Sequence, residues 1–128
     1  MSDLQALTAE LLAFRDARDW RQFHSLRNLI VSLNLEAGEL LELTQWKSDP
    51  EIAALADEPA TAEALGDECA DILLYLLLIA ETAGIDLLAA ARSKISKNGE
   101  KYPIELARGS RAKYTALKPS PEEGLTKD

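Results

Sequence analysis

Two pairs of carboxylates recur at the same spacing inside leucine-rich segments of the sequence. Glu36 and Glu39 form the first pair, and Glu68 and Asp71 form the second. Residues three apart on a helix are neighbours, with Cβ atoms about 5–6 Å apart, so each pair directs two carboxylates to one place. If the two segments face each other, four carboxylates converge. Because such a group needs a strong counter-charge, these oxygen ligands indicate a hard divalent cation, Mg2+ or Mn2+.

The helical period places one acid of each pair inside an apolar stripe. Spacings of three and four define the first stripe, which consists of Leu26, Leu29, Leu33, Glu36, Leu40 and Leu43. The matching stripe of the second segment consists of Leu65, Glu68, Ile72, Leu76 and Ile79, with Asp71 and Tyr75 along its edge. A helix that needed only a core would carry leucine at 36 and 68, since a buried unpaired charge is costly. Two such exceptions at matching positions predict a functional site.

Two other interpretations of the acidic residues compete with a site for Mg2+ or Mn2+. Acids on a helix often form a solvated face or pair with lysine and arginine, and we prefer that interpretation for Glu42, Glu63 and Glu81. A di-iron bundle would need Glu-x-x-His on two helices. The sequence has one histidine, His24, and the residue three positions before it is Arg21 rather than a glutamate. The di-iron pattern is therefore not met.

Composition limits the class of protein. A chain of 128 residues with 47% hydrophobic residues can form one domain with a core. A net charge of -8 argues against a general binder of nucleic acid or of membrane surfaces. The longest uncharged apolar run, residues 72–80, is about half of the ~20 residues that a membrane span needs. With no secretory signal pattern, and with Cys69 as the single cysteine, we expect a cytoplasmic protein in which Cys69 is a buried structural thiol.

The periodicity predicts an all-α fold with four long helices. The expected helices run from the Ser2 capping box to about Asp16, from about Ser25 to Lys47, from about Thr61 to Ala83 before Gly84, and from the Asp86 cap to Asn98-Gly99. Residues 48–60 are expected to form a loop or a short helical turn. We assign residues 1–115 to the helical domain and residues 116–128 to a flexible C-terminal tail, because prolines, glycine and charges dominate its end.

Two further groups of residues are candidates for ligand binding. Aromatic residues make up 5% of the chain, yet Trp20, Phe23, His24 and Trp46 lie close in sequence to the acidic segment. On the predicted second helix Trp46 would lie about two turns beyond Glu39, where it could stack on a nucleobase or pack under the adjoining loop. A basic segment, residues 94–103, could neutralise a polyphosphate or simply complement a helix C-terminus.

Several strings of the sequence resemble one family. In order along the chain they are RDWRQFHSLRNL, EAGELLELTQWKSD, DECADILLYLLLIA, SKISKNGEKYP and ARGSRAKYT. Together with the two acidic pairs, they resemble the MazG-like, all-α nucleoside triphosphate pyrophosphohydrolases, in particular the dCTP pyrophosphatase branch. The resemblance extends from about Arg18 to Thr115.

The resemblance implies a fold, an assembly and an activity. The fold would be a four-helix bundle of the MazG-like type that forms a dimer or a dimer of dimers. The activity would be Mg2+-dependent hydrolysis of dCTP, or of a modified dCTP, to the monophosphate and pyrophosphate, which removes unwanted nucleotides from the pool. The alternatives are a sibling specificity for dUTP or dATP, and a non-enzymatic helical bundle that mediates assembly.

The resemblance also assigns roles to residues. The metal ligands would be Glu36, Glu39, Glu68 and Asp71. The base and sugar pocket would contain Trp20, His24, Trp46 and Tyr75. The residues that serve the phosphates would be Lys94, Asn98, Lys101 and Tyr102. The family commonly has arginine at the position of Lys101 and an aromatic residue at the position of Thr44.

Overall fold

The computed structural model describes residues 1–117, and these form an all-helical chain without strands. The α-helices are α1 (Asp3–Ala17), α2 (Leu26–Glu42), α3 (Asp49–Ala53), α4 (Pro59–Ala83), α5 (Leu87–Lys101) and α6 (Ile104–Ala107). Short 3-10 turns occupy Arg21–Phe23, Ala54–Ala56 and Tyr114–Ala116. The all-α class and its four long helices, α1, α2, α4 and α5, are as predicted.

Side-chain caps fix where the helices begin. Ser2 accepts a hydrogen bond from the backbone of Gln5, and the Gln5 side chain accepts one from the Ser2 backbone, which is the predicted capping box. The same reciprocal pair, Ser48 with Glu51, starts α3. Asp86 caps α5 as predicted. At the other end of α4, Gly84 adopts φ 67, a left-handed conformation that glycine tolerates without a Cβ clash.

The chain divides into two compact units, one comprising Met1–Ile85 and the other beginning at Asp86. In the first unit, α2 packs mainly against α4, and α1 also contacts α4. Its buried apolar side chains are Leu29, Leu77, Leu78 and Ala80. The second unit contains α5, α6 and the last 3-10 turn. The contact between α2 and α4 is the one that brings the two acidic stripes together.

Two helix ends differ from the prediction. Helix α2 ends at Glu42 rather than near Lys47. After Glu42 the backbone changes to bonds that reach back three residues: the N–H groups of Thr44 and Gln45 donate to Leu41 O (2.9 Å) and Glu42 O (3.1 Å). Helix α5 continues past Asn98-Gly99 to Lys101. It stops there because Pro103 restricts the residue before it and has no N–H group to donate.

No single helix in residues 1–117 is long and apolar enough to cross a membrane, although α4 and α5 taken together would pass by length and composition. The predicted tail from residue 118 onward lies outside the described residues.

Candidate metal centre

The carboxylates of Glu36, Glu39 and Glu68 converge between α2 and α4. One oxygen of each lies within 4.8 Å of the others. Glu36 and Glu39 are one turn apart on α2, and Glu68 comes from α4, so the contact between the two helices assembles the cluster. Three carboxylates at this separation can coordinate one hard cation with oxygen ligands only.

The site disfavours ionisation of two of these carboxyl groups, Glu36 and Glu68. Burial raises the pKa of Glu36 from the ordinary 4.5 to about 7, and a hydrogen bond to Glu39 together with the charges of Glu39, Asp71 and Glu68 adds to the effect. Burial also raises the pKa of Glu68, followed by the charge of Glu39. Without a counter-charge, this site therefore favours bound protons near neutral pH.

Two oxygen atoms of the cluster lack a donor. Glu36 Oε2 and Glu68 Oε2 are closed off from solvent, and neither has a hydrogen-bond partner among the described residues. The ion pair found in that part of the chain joins Arg15 to Asp16 and so leaves the glutamates without a basic partner. This excludes the salt-bridge interpretation for them within residues 1–117. Orphaned, desolvated carboxylate oxygens fit a divalent cation, which would supply the missing positive charge.

Asp71 stands at the margin of this cluster. It lies one turn after Glu68 on α4 and is exposed, and it is not part of the group within 4.8 Å. Its charge nevertheless contributes to the raised pKa of both Glu36 and Glu68. Asp71 is therefore close enough to act on the cluster electrostatically. Tyr75, half-buried, follows it on the same helix.

Trp46 does not share a helix with the carboxylates, contrary to the prediction. Because α2 ends at Glu42, Trp46 lies in the turn that follows, with φ 62 and 93% of its surface exposed. The axial distance that we expected from Glu39 therefore does not apply. A bulky residue with positive φ is uncommon and strained. Packing under the loop is also excluded for this side chain among the described residues, because it is almost entirely exposed.

An apolar cleft in the first unit is lined by residues of α2 and α4 that neighbour the carboxylates in sequence. It has a volume of about 300 Å3 and is lined by Ala37, Leu40, Leu41, Leu43, Thr44, Ile52, Leu55 and Leu65. Leu40 directly follows Glu39, and Leu65 lies one turn before Glu68. Thr44 is the one polar residue in this lining. A ligand in this cleft would therefore contact apolar side chains and find few hydrogen-bonding groups.

His24 has an unsatisfied ring nitrogen. Its Nδ1 is closed off from solvent and has no partner among the described residues. Burial lowers the pKa of His24, and the charge of Arg15 lowers it further, so the imidazole is neutral at physiological pH. A neutral imidazole carries one donor and one acceptor. Trp20, four residues earlier, is 44% exposed.

The predicted phosphate residues belong to the second unit. Lys94, Asn98 and Lys101 recur at intervals of four and three on α5 and so share one face of that helix. All three are exposed. The Lys101 ammonium lies 5.0 Å from the centroid of the Tyr114 ring, and the Tyr102 and Tyr114 rings meet edge to face at 6.1 Å. Tyr114 thus joins this group, and we had not predicted it from the sequence although it lies in the string ARGSRAKYT.

The prediction for Cys69 was wrong. The thiol is exposed rather than buried. Leu73, one turn after Cys69 on the same side of α4, is also exposed at 40%, so this side of the helix is not covered as the apolar pattern suggested. The fully buried residues of α4 are Leu77, Leu78 and Ala80, and Cys69 lies about two turns before them.

The raised pKa values predict how the metal-free protein responds to pH. Because Glu36 titrates near pH 7 in the folded chain and near 4.5 when unfolded, the native state binds more protons between these values. The free energy of unfolding should therefore fall as pH rises through this window. In excess EDTA, we expect the melting temperature to be a few degrees higher at pH 5.5 than at pH 8.

The substitution Glu36→Gln separates the effect of Glu36 on the pH dependence of stability from the effects of the other titrating groups. It should flatten the pH dependence and raise the melting temperature at pH 8, because the uncompensated charge is gone. The matched control is Glu42→Gln on the same helix, where the side chain is exposed. If Glu36→Gln and wild type showed the same pH dependence in EDTA, Glu36 would not be the strained carboxylate.

Comparison with known proteins identifies the family. A sequence model of the MazG-like family matches residues 31–117. The chain is 45% identical over 117 residues to dCTP pyrophosphatase 1 of Rattus norvegicus, covering 91% of this chain and 67% of that protein. Against dCTP pyrophosphatase 1 of Homo sapiens the identity is 44%, with the same two coverages.

A solved structure agrees with the sequence relatives. The crystal structure of a pyrophosphatase from Archaeoglobus fulgidus superposes with a TM-score of 0.75 at 36% identity, covering 80% of this chain and 94% of that one. This chain therefore resembles that pyrophosphatase in its helical fold as well as in its sequence. The family match covers more than half of the described residues, and the relatives are similar over nearly the whole chain. The chain therefore belongs to the MazG-like family.

Proposed function

We propose that this chain is a metal-dependent dCTP pyrophosphohydrolase that converts dCTP to dCMP and pyrophosphate and so removes unwanted nucleotides. The observation that carries the proposal is the cluster of Glu36, Glu39 and Glu68, two of whose buried oxygens have no hydrogen-bond partner in the described part of the chain. The mammalian dCTP pyrophosphatases, at 44–45% identity, support the substrate. A purely structural bundle would have no use for such a cluster at its main helix contact.

The proposed metal is Mg2+, with Mn2+ as a substitute. Glu36, Glu39 and Glu68 would hold it, with Asp71 at the edge of the site. Oxygen-only ligands match the preference of both ions. When bound, the ion neutralises negative charge on the triphosphate and polarises its phosphoryl oxygens. It would also remove the repulsion that raises the pKa values of Glu36 and Glu68.

Hydrolysis at the α-phosphorus requires one activated water molecule. The water oxygen bonds to the α-phosphorus, the bond from that phosphorus to the α–β bridging oxygen breaks, and pyrophosphate leaves with the bridging oxygen. Of the three clustered carboxylates, Glu39 is the exposed one. We therefore assign to Glu39 the role of orienting this water and accepting its proton. No covalent intermediate is needed.

We assign three aromatic residues of the first unit to the proposed nucleoside pocket. Trp46, with its exposed indole, and Trp20 offer flat surfaces for the base, and Tyr75 lies one turn beyond Asp71 on α4. Since an indole stacks on any base, selectivity for cytosine has to come from hydrogen bonds. His24 is the proposed source, because its buried Nδ1 lacks a partner among residues 1–117.

The basic face of α5 is the proposed phosphate-binding element. Lys94, Asn98 and Lys101 share this face, and Tyr102 directly follows it. Their exposure leaves the ammonium groups accessible to a triphosphate. The charge at position 101 is kept although the family commonly has arginine there, but lysine cannot grip a phosphate with two parallel hydrogen bonds.

We further propose that the protein acts as a homo-oligomer, a dimer or a dimer of dimers. Several large apolar side chains of the first unit are exposed in the single chain, among them Leu35 (65%), Leu41 (69%), Leu73 (40%) and Leu76 (37%). Exposed apolar patches mark interaction sites, and most soluble oligomers are homo-oligomers, so we assign this surface to a second copy of the chain. The net charge of -8 supports a cytoplasmic protein that binds neither nucleic acid nor membranes.

Product analysis tests the proposed activity most directly. The purified protein with Mg2+ should convert dCTP to dCMP and pyrophosphate in a 1:1 ratio, detected by ion-exchange chromatography and 31P NMR. In H2-18O, the label should appear in dCMP if water attacks the α-phosphorus. Release of orthophosphate and dCDP would contradict the assignment. A panel with dUTP and dATP separates the sibling specificities, and no turnover of any triphosphate would favour the assembly protein.

Glu68→Gln tests the role of the cluster in this activity. We expect it to remove most of the Mg2+-dependent turnover, because one ligand loses its charge, while the circular dichroism spectrum stays helical. Glu63→Gln, an exposed acid on the same helix, is the matched control and should retain activity. Wild-type turnover in Glu68→Gln would exclude the metal assignment.

Substitutions of Trp46 and His24 test the pocket. Trp46→Ala should raise KM for every nucleotide, since loss of a stacked base costs about 1–3 kcal/mol of binding. Trp46→Phe should retain much of the affinity. His24→Ala should instead change the ranking of dCTP, dUTP and dATP by kcat/KM. An unchanged KM for dCTP in Trp46→Ala would place the base elsewhere.

Light scattering tests the assembly. We expect a dimer or tetramer at micromolar concentration because the exposed leucines of α2 and α4 would be covered by another copy. The double substitution Leu35→Lys and Leu41→Lys should shift the protein towards smaller species. A wild-type mass of 14.0 kDa would identify a monomer and reject the proposal.

A further inference from the structure

A compact stack of one cation and two aromatic rings occupies the end of α1. The Arg18 guanidinium lies 3.6 Å from the centroid of the Phe14 ring and 5.9 Å from that of the Trp20 ring. The two rings meet edge to face, with their centroids 5.7 Å apart and their planes at 76°. Arg18 Nη1 also donates a hydrogen bond to Phe14 O at 2.9 Å. The guanidinium is thus held at a ring face and at a backbone carbonyl at once.

Hydrogen bonds from the residues before and after Asp19 fix the turn that carries Trp20. The backbone N–H groups of Arg18 and Trp20 both donate to Arg15 O, at 3.2 Å and 3.1 Å. Between them Asp19 has φ 52, which is unfavourable for a residue with a Cβ. Gln22 Nε2 stabilises this turn by donating to Asp19 O (3.0 Å) and to Asp19 Oδ2 (2.9 Å).

The stack is not part of the buried core. Phe14 is 48% exposed and Trp20 is 44% exposed, so neither ring gains the full benefit of burial. Arg18 has no acidic partner among the described residues. A strained turn, a cation held against aromatic rings and a half-exposed indole together describe a rigid surface rather than packing. Such preorganisation lowers the entropy lost when a ligand stacks on the ring.

We propose that Arg18 is a positioning residue, whose guanidinium, held against Phe14 and Trp20, fixes the indole of Trp20 as a stacking platform for the base of the nucleotide. The identity of the nucleotide rests on the proposed function. Arg18 itself does not contact the reacting atoms. Its removal therefore affects how tightly the nucleotide binds and leaves the chemical step alone.

The matched variants are Arg18→Gln and Arg21→Gln. Both remove one positive charge from the same short segment. Arg21 is exposed, and it makes no cation–aromatic contact in the part of the chain that the structure describes. Arg18→Lys keeps the charge without the planar guanidinium, and Phe14→Leu removes the ring from the other side. These two additional variants keep the proposal testable if Arg18→Gln fails to fold.

Two measurements on the full chain, labelled with 5-fluorotryptophan, test the proposal. The chain has two tryptophans, so 19F NMR gives two resonances that Trp46→Phe assigns. Arg18→Gln should shift or broaden the Trp20 resonance and leave that of Trp46 in place. It should also raise KM for dCTP by roughly 2- to 5-fold, the factor that corresponds to an exposed cation–π contact, while kcat is kept. Arg21→Gln should change neither.

An unchanged KM and an unchanged Trp20 resonance in Arg18→Gln would overturn the proposal, as would an equal rise of KM in Arg21→Gln. A fall of kcat without a change of KM would also overturn it. Failure of the proposed function is a separate result, namely no hydrolysis of dCTP by the wild type. In that case, titration of the labelled wild type with dCTP, dUTP and dATP decides. A Trp20 resonance that responds to none of them overturns the platform, and one that responds to any supports it.

Discussion

The repulsion among Glu36, Glu39 and Glu68 is the constraint on which the site depends. The packing of α2 against α4 brings these carboxylates together. It leaves Glu36 Oε2 and Glu68 Oε2 closed off from solvent, with no donor among residues 1–117. Burial raises the pKa of Glu36 to about 7, so the arrangement is unfavourable when the acids are ionised and alone. A bound cation would relieve the repulsion among the carboxylates, and this relief would favour its binding. Leucine at either stripe position would stabilise the helix pair but remove the site.

The remaining candidate groups follow a different structural rule. The clustered carboxylates lie inside long helices, where the backbone is rigid. The two tryptophans lie in turns instead, Trp46 just beyond α2 and Trp20 just beyond α1, and each turn contains a non-glycine residue with positive φ. The indoles thus lie in turns with positive φ, whereas the proposed metal ligands lie in long helices. This division suits a nucleotide, whose phosphates require fixed charges and whose base requires a flat surface.

Most helix ends and the two half-buried glutamates could be predicted from the sequence, because capping residues and apolar periodicity are local features of the chain. The Ser2 capping box, the Asp86 cap and Gly84 located helix ends, and the apolar stripes located Glu36 and Glu68. The early end of α2 was missed because the backbone after Glu42 forms tighter turns, with Trp46 at positive φ, and apolar periodicity does not indicate such a change. The exposure of Cys69 and the stacking of Arg18 on Phe14 depend on tertiary packing or on rotamers, which one sequence does not specify.

The clustered glutamates are proposed to bind a divalent cation. A titration with Mn2+, followed by electron paramagnetic resonance, tests this binding without any substrate. At pH 8, wild type should remove free Mn2+ from solution with saturation, and Mg2+ should compete. Glu36→Gln should lose most of this binding, and Glu42→Gln, an exposed acid on the same helix, should keep it. If Glu36→Gln bound Mn2+ as tightly as wild type, the cation would be held elsewhere and the clustered glutamates would not be the metal site.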